Sequence, residues 1–336
     1  MVELLSSPIN YDTMKAAIHL EYGPPEVVNI REVDKPVPAE NELLIKVVAT
    51  TVNRTDCGFR SAEYFVSRFF SGLLRPKQTI LGNEFAGIVV AVGNQVKEFS
   101  RGDKVFGYND VTFGAHAEYL KIPSKGAIAL MPENLSFREA AALTEGAHYA
   151  LCDIRAAKVK KGQEVLVNGA TGAIGSAAVQ LLKHEGAIVT AVCGTDNVEL
   201  VKSLGADKVI DFLKSDFTKT DDRFDFVFDA VGKSSYGACK NILKKHGIYI
   251  STELGKNAEN IYLALITPLV SKKRLLFPLP YVSRDDVYFL KELAEKRVFK
   301  PVIDREYSLN QIVDAYKYVE TGQKIGNVLI IVDEQE

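Results

Sequence analysis

The stretch Asn168–Gly186, NGATGAIGSAAVQLLKHEG, spaces small residues at Ala170, Gly172 and Gly175 in a [G/A]xGxxG pattern. That spacing has a chemical use. Gly172 lets backbone approach a pyrophosphate, Gly175 lets the following helix pack tightly on its strand, and the helix's first free N–H groups face the phosphates. Thr171, Ala173 and Ile174 complete the turn and belong to the expected cofactor-contact set. The same pattern also serves a tight strand–helix turn with no ligand, and it is the βαβ context on both sides that favours cofactor binding. About 20 residues further on, dinucleotide sites selective for NAD carry an acid for the ribose 2′-hydroxyl. Here CGTDN puts Gly194 and Thr195 at that place. A missing carboxylate leaves room for a 2′-phosphate that Thr195 could hydrogen-bond, which favours NADP(H). No Arg or Lys follows at once, and Asp196 turned inward would favour NAD(H) instead.

The elements that must position this loop follow from periodicity. In the first half KAAIHL, ELLIKVVATTV, FAGIVVAVG, DKVFGY and AHAEYLKI are short, β-branched and bounded by Gly, Pro, Asp or Asn. They predict a β-rich unit, a partly closed barrel. Between them EYFVSRFFSGLLRPKQT is an aromatic insertion, either a helix over the site or a flap. From Ser136 the pattern changes. Ser136 with Glu139 forms a capping box, and a helix is expected through the SFREAAALTEGAHYALCDI stretch. Strand–helix alternation follows: EVLVNGA, the glycine-loop helix, AIVTAVC, NVELVKSLG, KVIDF, FDFVFDAVG, a helix through YGACKNILKKHG, and GIYIST. Such alternation predicts a parallel sheet covered on both faces. SRDDVYFLKELAEKRV and SLNQIVDAYKYVETG read as helices, and NVLIIV as a strand returning to the first unit.

The whole chain of 336 residues is long enough for two cores. Its 47% hydrophobic and 25% charged residues are ordinary for a globular protein. A net charge of −2 gives no electrostatic reason to expect nucleic acid or an anionic membrane. The apolar runs are strand-sized, so no transmembrane helix is expected, and the N-terminus lacks the basic-then-apolar form of a signal peptide. Cys57, Cys152, Cys193 and Cys239 stand far apart, which argues against a disulfide framework or structural zinc and fits a reducing, cytoplasmic setting. Residues 1–13 read as an extension before the first strand.

The motifs YGPPEVV, VNRTDC, LGNEFAGIVVAVG, GDKVFGY, GAHAEYL, EAAAL, the glycine loop, LGADKVIDF and DFVFDAVG together resemble the medium-chain dehydrogenase/reductase superfamily, in its zinc-free, zeta-crystallin-like quinone oxidoreductase branch. The likeness runs from about Lys15 to Val332. It implies an α/β fold with a GroES-like β-rich catalytic domain (14–140 and 304–336) and a Rossmann domain with a doubly wound parallel sheet (141–303), with nicotinamide and substrate in the cleft between them. That arrangement would explain why the glycine loop begins halfway along the chain. The superfamily's zinc enzymes carry GHExxG, whereas this chain reads Gly82-Asn83-Glu84-Phe85-Ala86-Gly87, with Asn83 for the ligand histidine. Cys57 lies near their first ligand, and the closely spaced cysteines of a structural zinc lobe are missing. No metal is therefore expected. Without a Lewis acid, hydride transfer suits an electron-poor acceptor such as a quinone or an α,β-unsaturated carbonyl.

The resemblance also points to site residues. Asn53, with Asp56 in an NxxD pattern, is expected at nicotinamide or substrate, or else as a turn cap. Tyr64 stands where related enoyl reductases carry a GxY tyrosine, although the glycine is missing. The PxxGLTA region reads Thr144-Glu145-Gly146-Ala147-His148-Tyr149-Ala150, placing Thr144 at the cofactor and His148 as a candidate proton donor. Val231 and Gly232 of DAVG and Gly326 and Asn327 near the C-terminus are further expected cofactor contacts. Asn327 replaces a lysine, so a charge contact should be lost there. Two rivals remain: a short-chain dehydrogenase using Tyr236 and Lys240, contradicted by the mid-chain loop, and an NADPH-binding structural or regulatory protein with little turnover. The expected partners are a small quinone or enone substrate and a second copy of the chain in a homodimer, with neither nucleic acid nor membrane.

Overall fold

The computed structural model of the chain describes residues 12–62 and 68–334. The β-branched segments of the first half form strands β1 (Thr13–Ile18), β2 (Asn29–Asp34), β3 (Glu42–Val52), β4 (Glu84–Val92), β5 (Lys104–Tyr108), β6 (Tyr119–Pro123) and β7 (Ile128–Leu130). Helix α1 (Arg54–Ser61) leaves the end of β3, and the short α2 (Arg68–Ser71) lies in the aromatic insertion. β3 pairs antiparallel with both β4 and β6, so one long strand forms the axis of this unit.

The Ser136–Glu139 capping box forms as expected, with Glu139 N–H donating to the Ser136 hydroxyl and Ser136 N–H to the Glu139 carboxylate. The single helix expected there is instead two, α3 (Phe137–Ala141) and α4 (Glu145–Ala157). The break has a cause. The Glu84 carboxylate of β4 accepts the backbone N–H groups of Thr144 and Glu145 and starts a second helix, and an anion at a helix N-terminus is favourable.

The alternating segment gives β8 (Glu164–Asn168), α5 (Ala173–His184), β9 (Ile188–Cys193), α6 (Val198–Ser203), β10 (Lys208–Asp211), β11 (Phe224–Asp229), α7 (Tyr236–Cys239), β12 (Leu243–Ser251), α8 (Glu259–Val270), β13 (Arg274–Leu276) and α9 (Arg284–Glu295). All pairings are parallel, in the order β10-β9-β8-β11-β12-β13, which is the doubly wound Rossmann order. The helix expected through His246 stops at Cys239, because Leu243 already pairs with Phe224 as the start of β12. The chain then returns through β14 (Ile303–Ser308), α10 (Ile312–Glu320) and β15 (Asn327–Ile331) to complete the first sheet, ordered β14-β15-β3-β4-β5-β7.

The fold is thus a GroES-like β unit joined to a Rossmann unit. Its largest apolar cluster runs unbroken from Val48, Ala86 and Phe106, through Phe137 and Leu143, to Val165, Val189 and Phe228. No helix among the described residues is long and apolar enough to cross a membrane.

Candidate active site

Where β8 ends, the chain turns into α5 through the glycine loop. A Cβ on Gly175 would lie 2.1 Å from the Gly169 carbonyl oxygen, so only glycine lets α5 close down on the strand. Ala170 is buried beneath the turn. Gly172 is the N-cap of α5, and a Cβ there would find nothing nearer than the Gly169 oxygen at 3.7 Å. The loop is therefore tight behind and open in front, which fits a phosphate seated on the helix N-terminus. The Gly326 N–H donates to the Thr171 carbonyl at 2.6 Å, and Gly172 and Gly326 form an isolated parallel bridge between the two units. In front lies a cavity of about 450 Å³, walled by Gly172, Ala173, Ile174 and Val231 on one side and by Asn53 and Thr55 on the other.

Glu84 organises the floor. Its two carboxylate oxygens accept five hydrogen bonds: from the Thr51 hydroxyl, Asn53 Nδ2, Thr144 N–H, the Thr144 hydroxyl and Glu145 N–H. A fully buried carboxylate needs such compensation. Asn53 also donates from Nδ2 to the Thr51 hydroxyl at 2.8 Å, and its buried Oδ1 has no hydrogen-bond partner among the described residues. Because Asn53 lines the cavity, that oxygen suits an amide N–H of a bound ligand.

Beside the floor, α4 presents Glu145 and Tyr149 on the cavity wall. The Thr55 hydroxyl donates to Glu145 Oε1 at 2.7 Å and lies 3.5 Å from the Tyr149 hydroxyl. Burial, reinforced by the Glu84 charge, pushes the Glu145 carboxyl up to about 8. Burial also raises the Tyr149 phenol well above its ordinary value. Lys324 lies in the same wall, donates to the Gly326 carbonyl at 2.6 Å, and has its ammonium pushed down by burial while Glu145 counteracts.

The structure gathers some of the expected residues and disperses others. Asn53, Gly172, Ala173, Ile174 and Val231 line the cavity, while Gly232, at φ +61°, shapes the turn after β11. Thr144, expected at the cofactor, is fully buried with its hydroxyl donating to Glu84 Oε2 at 2.8 Å, and it does not line this cavity. His148 turns away from this cavity. Its Nδ1 lies 3.0 Å from the Tyr108 hydroxyl and 3.2 Å from Asp286 Oδ2, and it faces a second cavity of about 260 Å³ with Cys152, Arg155 and Tyr281. At 3.6 residues per turn, 148 points about 100° around α4 from 149. Tyr64 lies outside the described residues.

Asn327 bonds through Nδ2 to the Val302 carbonyl at 3.0 Å and is absent from the cavity wall. Lys324, three residues earlier, lines the cavity instead, at a position that sequence reading did not weigh. Gly194 and Thr195 sit at the end of β9, but the Thr195 hydroxyl donates to Asp211 Oδ2 at 2.6 Å, with Lys214 3.1 Å from the same carboxylate. That acid was missed. Strand order would have found it, because β10 flanks β9 and ends in Asp211. Asn83 Nδ2 donates to Asp110 Oδ1 at 2.9 Å. Cys57 is sunk in the apolar cluster with Val52, Leu81 and Tyr316, where burial pushes its thiol up to about 12.

Comparison with known proteins agrees with this geometry. Residues 39–133 match the family described as alcohol dehydrogenase GroES-like domain, and residues 204–330 the one described as zinc-binding dehydrogenase. The chain is 34% identical to the 2-methylene-furan-3-one reductase of Solanum lycopersicum, over 94% of this chain and 79% of that protein. It is 32% identical to the chloroplastic NADPH-dependent alkenal/one oxidoreductase of Arabidopsis thaliana, with the same coverage of 94% and 79%. Among solved structures, the quinone oxidoreductase from Coxiella burnetii superposes with a TM-score of 0.85 at 29% identity, over 96% of this chain and 100% of that one.

Proposed function

The chain belongs to the medium-chain dehydrogenase/reductase superfamily, among its quinone oxidoreductases and enone reductases, and from that premise we propose that it moves a hydride from NADPH to an α,β-unsaturated carbonyl or a quinone without a metal ion. The observation that carries this reading is the single cavity shared by the glycine loop and by Asn53, Thr55 and Tyr149. The N-terminus of α5, with Gly172, Ala173 and Ile174, would hold the pyrophosphate, and the unpartnered Asn53 Oδ1 would accept from the carboxamide. Bound there, the dinucleotide would supply the hydride. The protein's part is to orient the acceptor, exclude water and provide a proton.

Residue types support metal independence. Asn83 offers an amide where a ligand imidazole would be needed, and the Cys57 thiol is buried in apolar packing. NADPH is supported by the Arabidopsis relative's name and by the absence of an acid at Gly194 and Thr195, while the Thr195 hydroxyl after β9 and Lys214 after β10 both contact Asp211. Asp211 pulls toward NADH, which makes cofactor preference worth measuring. We divide the chain into a catalytic domain (14–140 and 304–336) and a cofactor domain (141–303). A homodimer through α8 and β13 is supported by the exposure of Leu265 (72%) and Leu269 (85%) beside the edge of the parallel sheet.

The test is nicotinamide absorbance during turnover by chelator-treated protein. NADPH should be consumed with an enone or a quinone and not with a simple aldehyde. Loss of activity with the chelator would overturn the metal-free reading. Tight NADPH binding without turnover on any acceptor would make this a cofactor-binding protein.

A further inference from the structure

Resting on that reading, we propose that Tyr149 is the proton donor to the reduced substrate and that Thr55 and Glu145 refill it as a short relay. The geometry points to these three. Tyr149, Thr55 and Glu145 all line the cavity, and Thr55 bridges the other two, with its hydroxyl 2.7 Å from Glu145 Oε1 and 3.5 Å from the Tyr149 hydroxyl. Asn53 beside them gives its Nδ2 to Thr51 and Glu84 and offers the cavity only an acceptor oxygen, so it has no proton to donate. His148 meets Tyr108 and Asp286 through Nδ1 and lines the other cavity rather than this one.

The step balances. Bound beside the relay, the reduced nicotinamide would supply the hydride, and an enone that gains it at the β-carbon would become an enolate. The enolate α-carbon takes the phenolic proton of Tyr149, forming a C–H bond and leaving a tyrosinate. The Thr55 hydroxyl, which donates to Glu145 at rest, turns to give its proton to the tyrosinate oxygen, and the neutral Glu145 carboxyl then donates its proton to the Thr55 oxygen. Water restores Glu145. Its carboxyl, pushed up to about 8, is loaded below that pH. The charged groups that face it are Glu84 from β4, Asp110 after β5 and Lys324 before β15, and Asp56 from α1 faces Tyr149. Tyr149 is the catalytic residue here, while Thr55 and Glu145 act through it.

The experiment follows enone reduction by Tyr149→Phe, Thr55→Val and Glu145→Gln, alongside NADPH affinity by nicotinamide fluorescence. General acid catalysis of this kind contributes roughly 10²-fold or more. Tyr149→Phe should therefore lose on the order of 10²-fold or more in kcat, and Thr55→Val roughly 10-fold, with NADPH affinity unchanged. The wild-type rate should fall as pH rises through about 8, and Glu145→Gln should lack that limb. Wild-type kcat and an unchanged pH profile in both Tyr149→Phe and Thr55→Val would overturn the relay. Failure of the wild-type protein itself to oxidise NADPH with any enone or quinone would instead overturn the proposed function.

Discussion

At the scale of the residue, Glu84 is where the site is most exposed to a single change. Its five acceptor contacts hold Asn53 beside the cavity and begin α4. Glu84→Gln replaces one acceptor oxygen by a donor facing donors. The expected loss is about 3 kcal/mol of stability, because buried partners are left unpaired. Chemical denaturation measures that loss, and weaker NADPH binding should accompany it as Asn53 shifts. The importance of Glu84 was hidden in the sequence. It stood in LGNEF beside Asn83, and attention to which ligand was missing drew the eye one residue too early. Glycine spacing was more legible, since the steric demands at Gly172 and Gly175 are local. Side-chain direction on α4 was not, because assigning His148 to the cavity required knowing the rotation of a helix whose start is fixed by a residue 60 positions away.

At the scale of the element, strands and helices with strong periodicity were readable, and those shaped by tertiary contact were not. β8, α5, β9 and β10 follow from alternation and glycine stops. The division between α3 and α4 and the early start of β12 do not, because each is set by a partner distant in sequence. α8 escaped altogether. It is apolar on its outer side as well as its inner one, and Pro268 lies inside it, so neither periodicity nor breaker rules identified it. Its exposed leucines give the proposed dimer a direct test. Leu269→Asp should shift sedimentation from dimer to monomer while each chain remains folded, since Leu269 is 85% exposed in the single chain. Sedimentation of the wild-type chain as a monomer would remove the proposal.

At the scale of the molecule, the site's buried acids leave a signature in stability. Burial pushes Asp56 up to about 7 and Glu145 up to about 8, so both favour the protonated form when folded. A carboxyl raised in this way contributes stability that is lost as pH rises through its folded value. His19 and His116, lowered by burial to about 4, titrate below this range in the folded state. Lys324, pushed down by burial, works in the opposite direction. Thermal stability should therefore fall as pH rises from about 6.5 to about 8, and fall less steeply in Glu145→Gln, a comparison that melting curves across that interval decide.

One contact joins these scales. The Gly326 N–H reaches the Thr171 carbonyl, so the last strand of the catalytic domain is fastened to the loop that would receive the phosphates. The loop's outward face is left for the ligand while its inward carbonyl grips the neighbouring domain. A dinucleotide settling there would act as a keystone, stiffening the span between two arches. How far the cleft can open would then be decided at the moment of cofactor capture, before any substrate arrives.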